Sequence, residues 1–127
     1  MKKSLLILLL GFLVACSSNP MKNNPLLQEY DTPFQTPPFD QIKTEHFMPA
    51  VREAMEQNRA EIDAIVNNRE EPTFENTIAA YDRAGDLLSR VTAAFFTLNR
   101  SDTNEELQAL AREITPESRY GVLSVQG

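Results

Sequence analysis

Cysteine and histidine each occur once in these 127 residues, tryptophan is absent, and there are only four glycines. A lone thiol, Cys16, excludes a disulfide within the chain. A lone imidazole, His46, excludes a zinc site of the H-E-x-x-H type, which needs two imidazoles one helical turn apart, a third ligand and a glutamate base. A Ser-His-Asp triad would have to use that same ring, and no G-x-S-x-G elbow is present to carry the serine. Glycine-rich phosphate loops are missing too, and strand-like alternation is absent before residue 119. Basic side chains are outnumbered, 12 against 18 acidic, giving a net charge of −6. Such a body is repelled by the phosphate backbone, so nucleic acid is excluded as a partner.

What is present begins with the first 16 residues. Lys2 and Lys3 form a positive start, Leu5 to Leu13 an apolar core interrupted by Gly11, and small residues precede Cys16. This is the layout of an export signal, and its core is too short to span a bilayer. Leu13-Val14-Ala15-Cys16 resembles a bacterial lipobox. The resemblance implies cleavage after Ala15, lipidation of Cys16 and a membrane as partner through its acyl chains. With no aspartate at Ser17 to retain the protein in the inner membrane, it implies the outer membrane of the cell envelope, facing the periplasm. Each buried methylene contributes about 0.8 kcal/mol, so three chains would hold the protein firmly. Loss of residues 1–15 from 127 leaves 112 residues, with 10 basic and 18 acidic side chains and a net charge of −8.

Residues 16–38 read as a tether followed by an extended segment, because Pro20, Pro25, Pro33, Pro37 and Pro38 forbid a continuous helix. Leu26, Leu27, Tyr30, Phe34 and Phe39 are interleaved through it, which predicts that its second half lies against a folded body. From Thr44 the spacing becomes helical. Phe47, Val51, Met55, Ile62, Ile65 and Val66, with Ala50 and Ala54, predict a helix to about Asn67, preceded by a short turn at 44–48 because of Pro49.

Thr73 is placed to cap a second helix, predicted to run unbroken to Asn99. Phe74, Ile78, Tyr81, Leu88, Val91, Phe95 and Leu98 form its buried face, widened by Leu87 and Phe96. Gly85 inside it marks a close approach of another helix. Thr103 and Glu106 match a capping box for a third helix, with Leu107, Leu110 and Ile114 as its stripe and Thr115-Pro116 stopping or bending it. The fold class is therefore all-α, with antiparallel helices and short connections. Helix two carries more apolar surface than two neighbours can cover, so the helical unit reads as incomplete.

His46 reads as a surface or capping side chain. Glu70-Glu71 and Glu105-Glu106 read as solvated or dipole-facing carboxylates at loops and helix starts. No catalytic, cofactor-binding or metal-binding residue is assigned. The run Pro38-Phe39-Asp40-Gln41-Ile42, then His46-Phe47-Met48-Pro49-Ala50, Glu61-Ile62-Asp63-Ala64-Ile65 and Pro72-Thr73-Phe74-Glu75-Asn76-Thr77-Ile78, resembles the N-terminal region of bacterial peptidyl-dipeptidases. These belong to the thimet oligopeptidase and oligopeptidase A family of zinc metallopeptidases. Leu88-Ser89-Arg90-Val91, Phe95-Phe96-Thr97-Leu98-Asn99 and Thr103-Asn104-Glu105-Glu106 continue the likeness, which covers about residues 25 to 117.

That resemblance implies a large helical clamshell that admits short peptides and removes C-terminal dipeptides, with zinc bound far downstream. Residues 39–118 would be its N-terminal helical region, and residues 119–127 a tail outside the likeness. A frameshift, a premature stop or an incomplete gene model would each produce such an end. The leading expectation is a truncated, non-catalytic N-terminal fragment of that kind of peptidase. The alternative is a lipid-anchored helical module that binds a peptide or protein in a groove of Phe95, Phe96 and Leu87.

Overall fold

The computed structural model describes residues 23–123, with side chains described as far as Thr115. Among the described residues four α-helices carry the fold: α1 (Phe47–Val66), α2 (Ala80–Arg83), α3 (Asp86–Ser101) and α4 (Glu105–Leu123). Short 3-10 turns occupy Pro25–Leu27, Pro33–Gln35 and Thr44–His46, and a π-helix spans Phe74–Ala79. No strand occurs among the described residues, in keeping with the all-α expectation. Nor is any described helix long and apolar enough to cross a membrane.

The core forms where α1 packs on α3 and α4 closes over one side of α1. Phe47, Ala50, Val51 and Ala54 of α1 face Leu88, Val91, Ala94 and Phe95 of α3, with Leu107 and Ile114 supplied by α4. Small alanines at 50, 54 and 94 let the helices approach, and the aromatic rings fill the centre. Phe95 stands edge-on to Phe47 at 5.1 Å between ring centroids and to Phe96 at 5.2 Å. That is the geometry favoured by the ring quadrupoles. Val66, read as part of the α1 stripe, lies past its buried stretch and is exposed.

Entry into α1 follows the expected pattern. The turn at Thr44–His46 precedes it, and Pro49 sits in the first helical turn, where its missing amide costs no ladder bond. His46 is a capping side chain as expected: its Nδ1 accepts a hydrogen bond from the Lys43 amide at 3.1 Å.

The segment before α1 docks earlier than its composition suggests. Leu26 and Tyr30 are buried, whereas Phe34 is 99% exposed. Asn24, itself buried, holds the chain in place: its Nδ2 donates to the His46 carbonyl at 2.7 Å and its Oδ1 accepts from the Leu26 amide at 3.0 Å. Tyr30 is held by Arg90 of α3, whose guanidinium carbon lies 4.9 Å from the ring centroid. Burial pushes the Tyr30 phenol above its usual range, opposed by the Arg90 charge. Phe34 and Gln35 both adopt left-handed backbone, with φ of 60° and 53°.

Three expectations are corrected. The second helix is not continuous from Thr73 to Asn99. It is a π-helix, then the single turn α2, then α3, which runs to Ser101. The break falls at Gly85, whose φ of +85° only glycine adopts without strain. Phe74, Ile78 and Tyr81 are consequently 72%, 57% and 65% exposed rather than part of a buried face.

The third helix does not stop at Thr115-Pro116: its backbone stays helical to Leu123. Proline removes one ladder bond. The helix meanwhile stays pinned by buried Ile114, and the Thr115 hydroxyl donates to the Ala111 carbonyl at 2.7 Å. Its cap is Asn104, not Thr103: the Leu107 amide donates to Asn104 Oδ1 at 2.9 Å, while the Thr103 hydroxyl turns back to Asn99.

Gly85 does mark a close approach, as expected. A Cβ there would meet Asn58 Oδ1 at 3.1 Å, and the Gly85 amide donates to Glu61 Oε2 at 2.8 Å. Gly85→Ala therefore combines left-handed strain with crowding, and should lower stability by about 1–2 kcal/mol in urea unfolding. An unchanged midpoint would mean that the break relaxes freely.

Candidate functional site

Rigid local chemistry shapes an open cleft beside α1. Thr73 caps the π-helix reciprocally with Asn76: the Asn76 amide donates to Thr73 Oγ1 at 3.1 Å, and the Thr73 amide donates to Asn76 Oδ1 at 2.8 Å. Asn76 Nδ2 also donates to the Glu71 carbonyl at 3.0 Å, tying the preceding loop to the same turn. Arg83 of α2 reaches back to Glu75 at 3.0 Å, an exposed pair of small energetic weight. Glu61 joins this unit to α1, accepting from the Gly85 amide through one oxygen and from Gln57 Nε2 through the other, both at 2.8 Å.

Between this unit and the C-terminal half of α1 lies an open cleft of about 750 Å³. Its walls include Glu61, Glu70, Glu71, Glu75 and Asn76, with Arg83 the one basic side chain among them. The surface is acidic and solvated, and it contains no nucleophile paired with a base.

The residues singled out from the sequence distribute as follows. Glu70 and Glu71 are exposed in the loop before the π-helix, at the cleft edge, while Glu105 and Glu106 are exposed in the first turn of α4. His46 lies outside the cleft lining. Cys16 and Ala15 lie outside the described residues. Glu61 and Arg83 were not singled out. Their signal is long-range for Glu61, 24 residues from Gly85, and local for Arg83, eight residues from Glu75.

The docking groove drawn from Phe95, Phe96 and Leu87 does not exist as such. Phe95 is fully buried, and Phe96 and Leu87 pack partly buried against the core. α4 and the docked N-terminal segment cover surface that a count of helix faces leaves open.

Among the described residues no three His, Cys, Asp or Glu side chains converge on a point where an ion could sit, and His46 Nδ1 is committed to the Lys43 amide.

Comparison with known proteins gives a consistent set of relatives. The chain is 46% identical over 97 residues to dipeptidyl carboxypeptidase of Salmonella typhimurium, covering 76% of this chain and 14% of that protein. The Escherichia coli dipeptidyl carboxypeptidase is 46% identical over 94 residues, covering 74% of this chain and 14% of the relative. Oligopeptidase A of Escherichia coli is 32% identical over 93 residues, covering 73% of this chain and 13% of the relative. No protein-family profile matches the chain. The helical segment built around this cleft is thus homologous to the dipeptidyl carboxypeptidases and oligopeptidases A, and spans about 14% of the length of the dipeptidyl carboxypeptidases it matches.

Proposed function

We propose that this chain supplies part of the N-terminal helical wall of a zinc-dependent peptidyl-dipeptidase, an enzyme releasing C-terminal dipeptides from short peptides, and that alone it is not catalytic. The observation that carries this reading is the 46% identity over 97 residues to a dipeptidyl carboxypeptidase, combined with a sequence containing a single imidazole. The zinc ligands and the catalytic glutamate belong, on this reading, to the large part of such a peptidase that the match does not reach. The acidic cleft and its capped π-helix act as scaffold.

A chimera tests this directly. Residues 23–118 of this chain replace the matching stretch of the Salmonella dipeptidyl carboxypeptidase, and dipeptide release from a short peptide is measured. The chimera is expected to keep activity within about tenfold of its parent, whereas the isolated chain with added zinc releases nothing above blank. A folded but inactive chimera, or chelator-sensitive turnover by the isolated chain, defeats the reading.

We further infer that the chain is exported, cleaved after Ala15 and anchored through lipidated Cys16 to the outer membrane, facing the periplasm. The n-region, apolar core and lipobox-like residues support this. In a bacterial host, labelled palmitate should enter the wild-type chain and not Cys16→Ser, which should move from the membrane to the soluble fraction. Equal partitioning of the two would exclude the anchor.

A further inference from the structure

Phe74, Ile78 and Tyr81 stand in the π-helix and α2 at spacings of four and three, and all are more than half exposed. Their segment is stiff. The Thr73–Asn76 box and the Gly85–Glu61 bond tie down its two ends, so the exposure is built in and does not come from a frayed end. The core of this unit, centred on Phe47, Val51 and Phe95, is closed by α4, so it offers no place of its own for these side chains.

We propose that Phe74, Ile78 and Tyr81 form the seam on which the remainder of the peptidase packs, a covalently continuous apolar partner and not a second copy of this chain. This rests on the reading of the chain as part of a larger peptidase. Two observations select that occupant. The matched segment makes up only 14% of the dipeptidyl carboxypeptidases to which it is similar, so most of the packing surface of such an enzyme comes from the other six-sevenths. The area is the second. At roughly 200 Å² for a large apolar side chain, the three expose about 400 Å², half of what a stable interface buries on each partner. A free copy would have to offset its lost translational and rotational freedom from that area, whereas a partner in the same polypeptide has that freedom already restricted.

Thiol labelling of Tyr81→Cys, in a Cys16→Ser background, tests the seam in the isolated chain and in the active chimera. The expected result is rapid maleimide labelling of the isolated chain and labelling at least about 100-fold slower in the chimera, located by mass spectrometry. In parallel, Ile78→Asp should leave the isolated chain's thermal midpoint within about 2 °C of its parent but lower the chimera's by more than about 8 °C. Labelling at equal rates in an active chimera overturns the seam alone. A chimera that is inactive before any of these substitutions defeats the underlying reading, and the seam with it. Protection of Tyr81→Cys in the isolated chain, through a dimer seen in sedimentation, overturns the choice of occupant.

Discussion

Phe95→Ala should cost about 3–5 kcal/mol and leave the domain close to unfolded at 37 °C. Phe95 is fully buried where α1 meets α3, and it touches Phe47 and Phe96 edge-on. Truncation removes the apolar transfer energy of the ring and leaves a void that close-packed neighbours fill only in part. It also deletes two aromatic contacts worth about 0.5–1.5 kcal/mol each. A domain of this size has only about 5–15 kcal/mol of stability, so one ring carries a large share. Urea unfolding followed by far-ultraviolet circular dichroism would measure the loss, with Phe34→Ala as the control. Phe34 is 99% exposed in a left-handed conformation, so its replacement should move stability by no more than about 0.5 kcal/mol. Comparable losses for the two variants would contradict the assigned core.

Asn24→Leu should cost about 1–3 kcal/mol although the branched shape of the side chain is conserved. The wild-type amide satisfies two backbone groups at once, the Leu26 N–H and the His46 carbonyl, in a fully buried position. Leucine leaves the Leu26 N–H without this partner and strips the His46 carbonyl of its side-chain donor, and a buried orphan costs about 1–3 kcal/mol, of which extra apolar burial offsets part. Amide exchange at Leu26 should accelerate in step with the lost stability. A loss below about 0.5 kcal/mol would mean that water replaces the side chain at no cost.

The contrast between these two residues explains what the sequence disclosed. Phe95 belongs to a repeating apolar face with Leu88 and Val91, and such periodicity is local, so the core side of α1 and α3 could be read directly. Thr73 was legible as a cap for the same reason, its partner Asn76 being three residues away. Asn24 sits among prolines and polar residues that read as tether, and its purpose appears only in a bond to a carbonyl 22 residues later.

Gly85 behaves likewise. A glycine in a helical stripe is compatible with continuity, and Glu61 and Asn58 of another helix decide that the chain breaks there. The continuous period drawn through Phe74, Ile78 and Tyr81 ran across that break, which is why their exposure was missed. The cleft was least legible, because its walls come from α1, a loop and α2, and surface carboxylates carry no periodic signature.

The wide turn at Phe74–Ala79 has one more consequence. An i→i+5 ladder accommodates about one residue more per turn than the ordinary helix does, so the residues after it stand one position out of step with an unbroken 3.6-residue count. Deleting a single residue inside Phe74–Ala79 would let the ladder close as ordinary α-helix, at little local cost. Because the wide turn absorbs that residue within one revolution, Tyr81 and Arg83 would keep their bearing about the axis, and the guanidinium would stay on the side of Glu75. The extra residue is thus taken up as local girth, and the compass bearing of the greasy ridge does not depend on it.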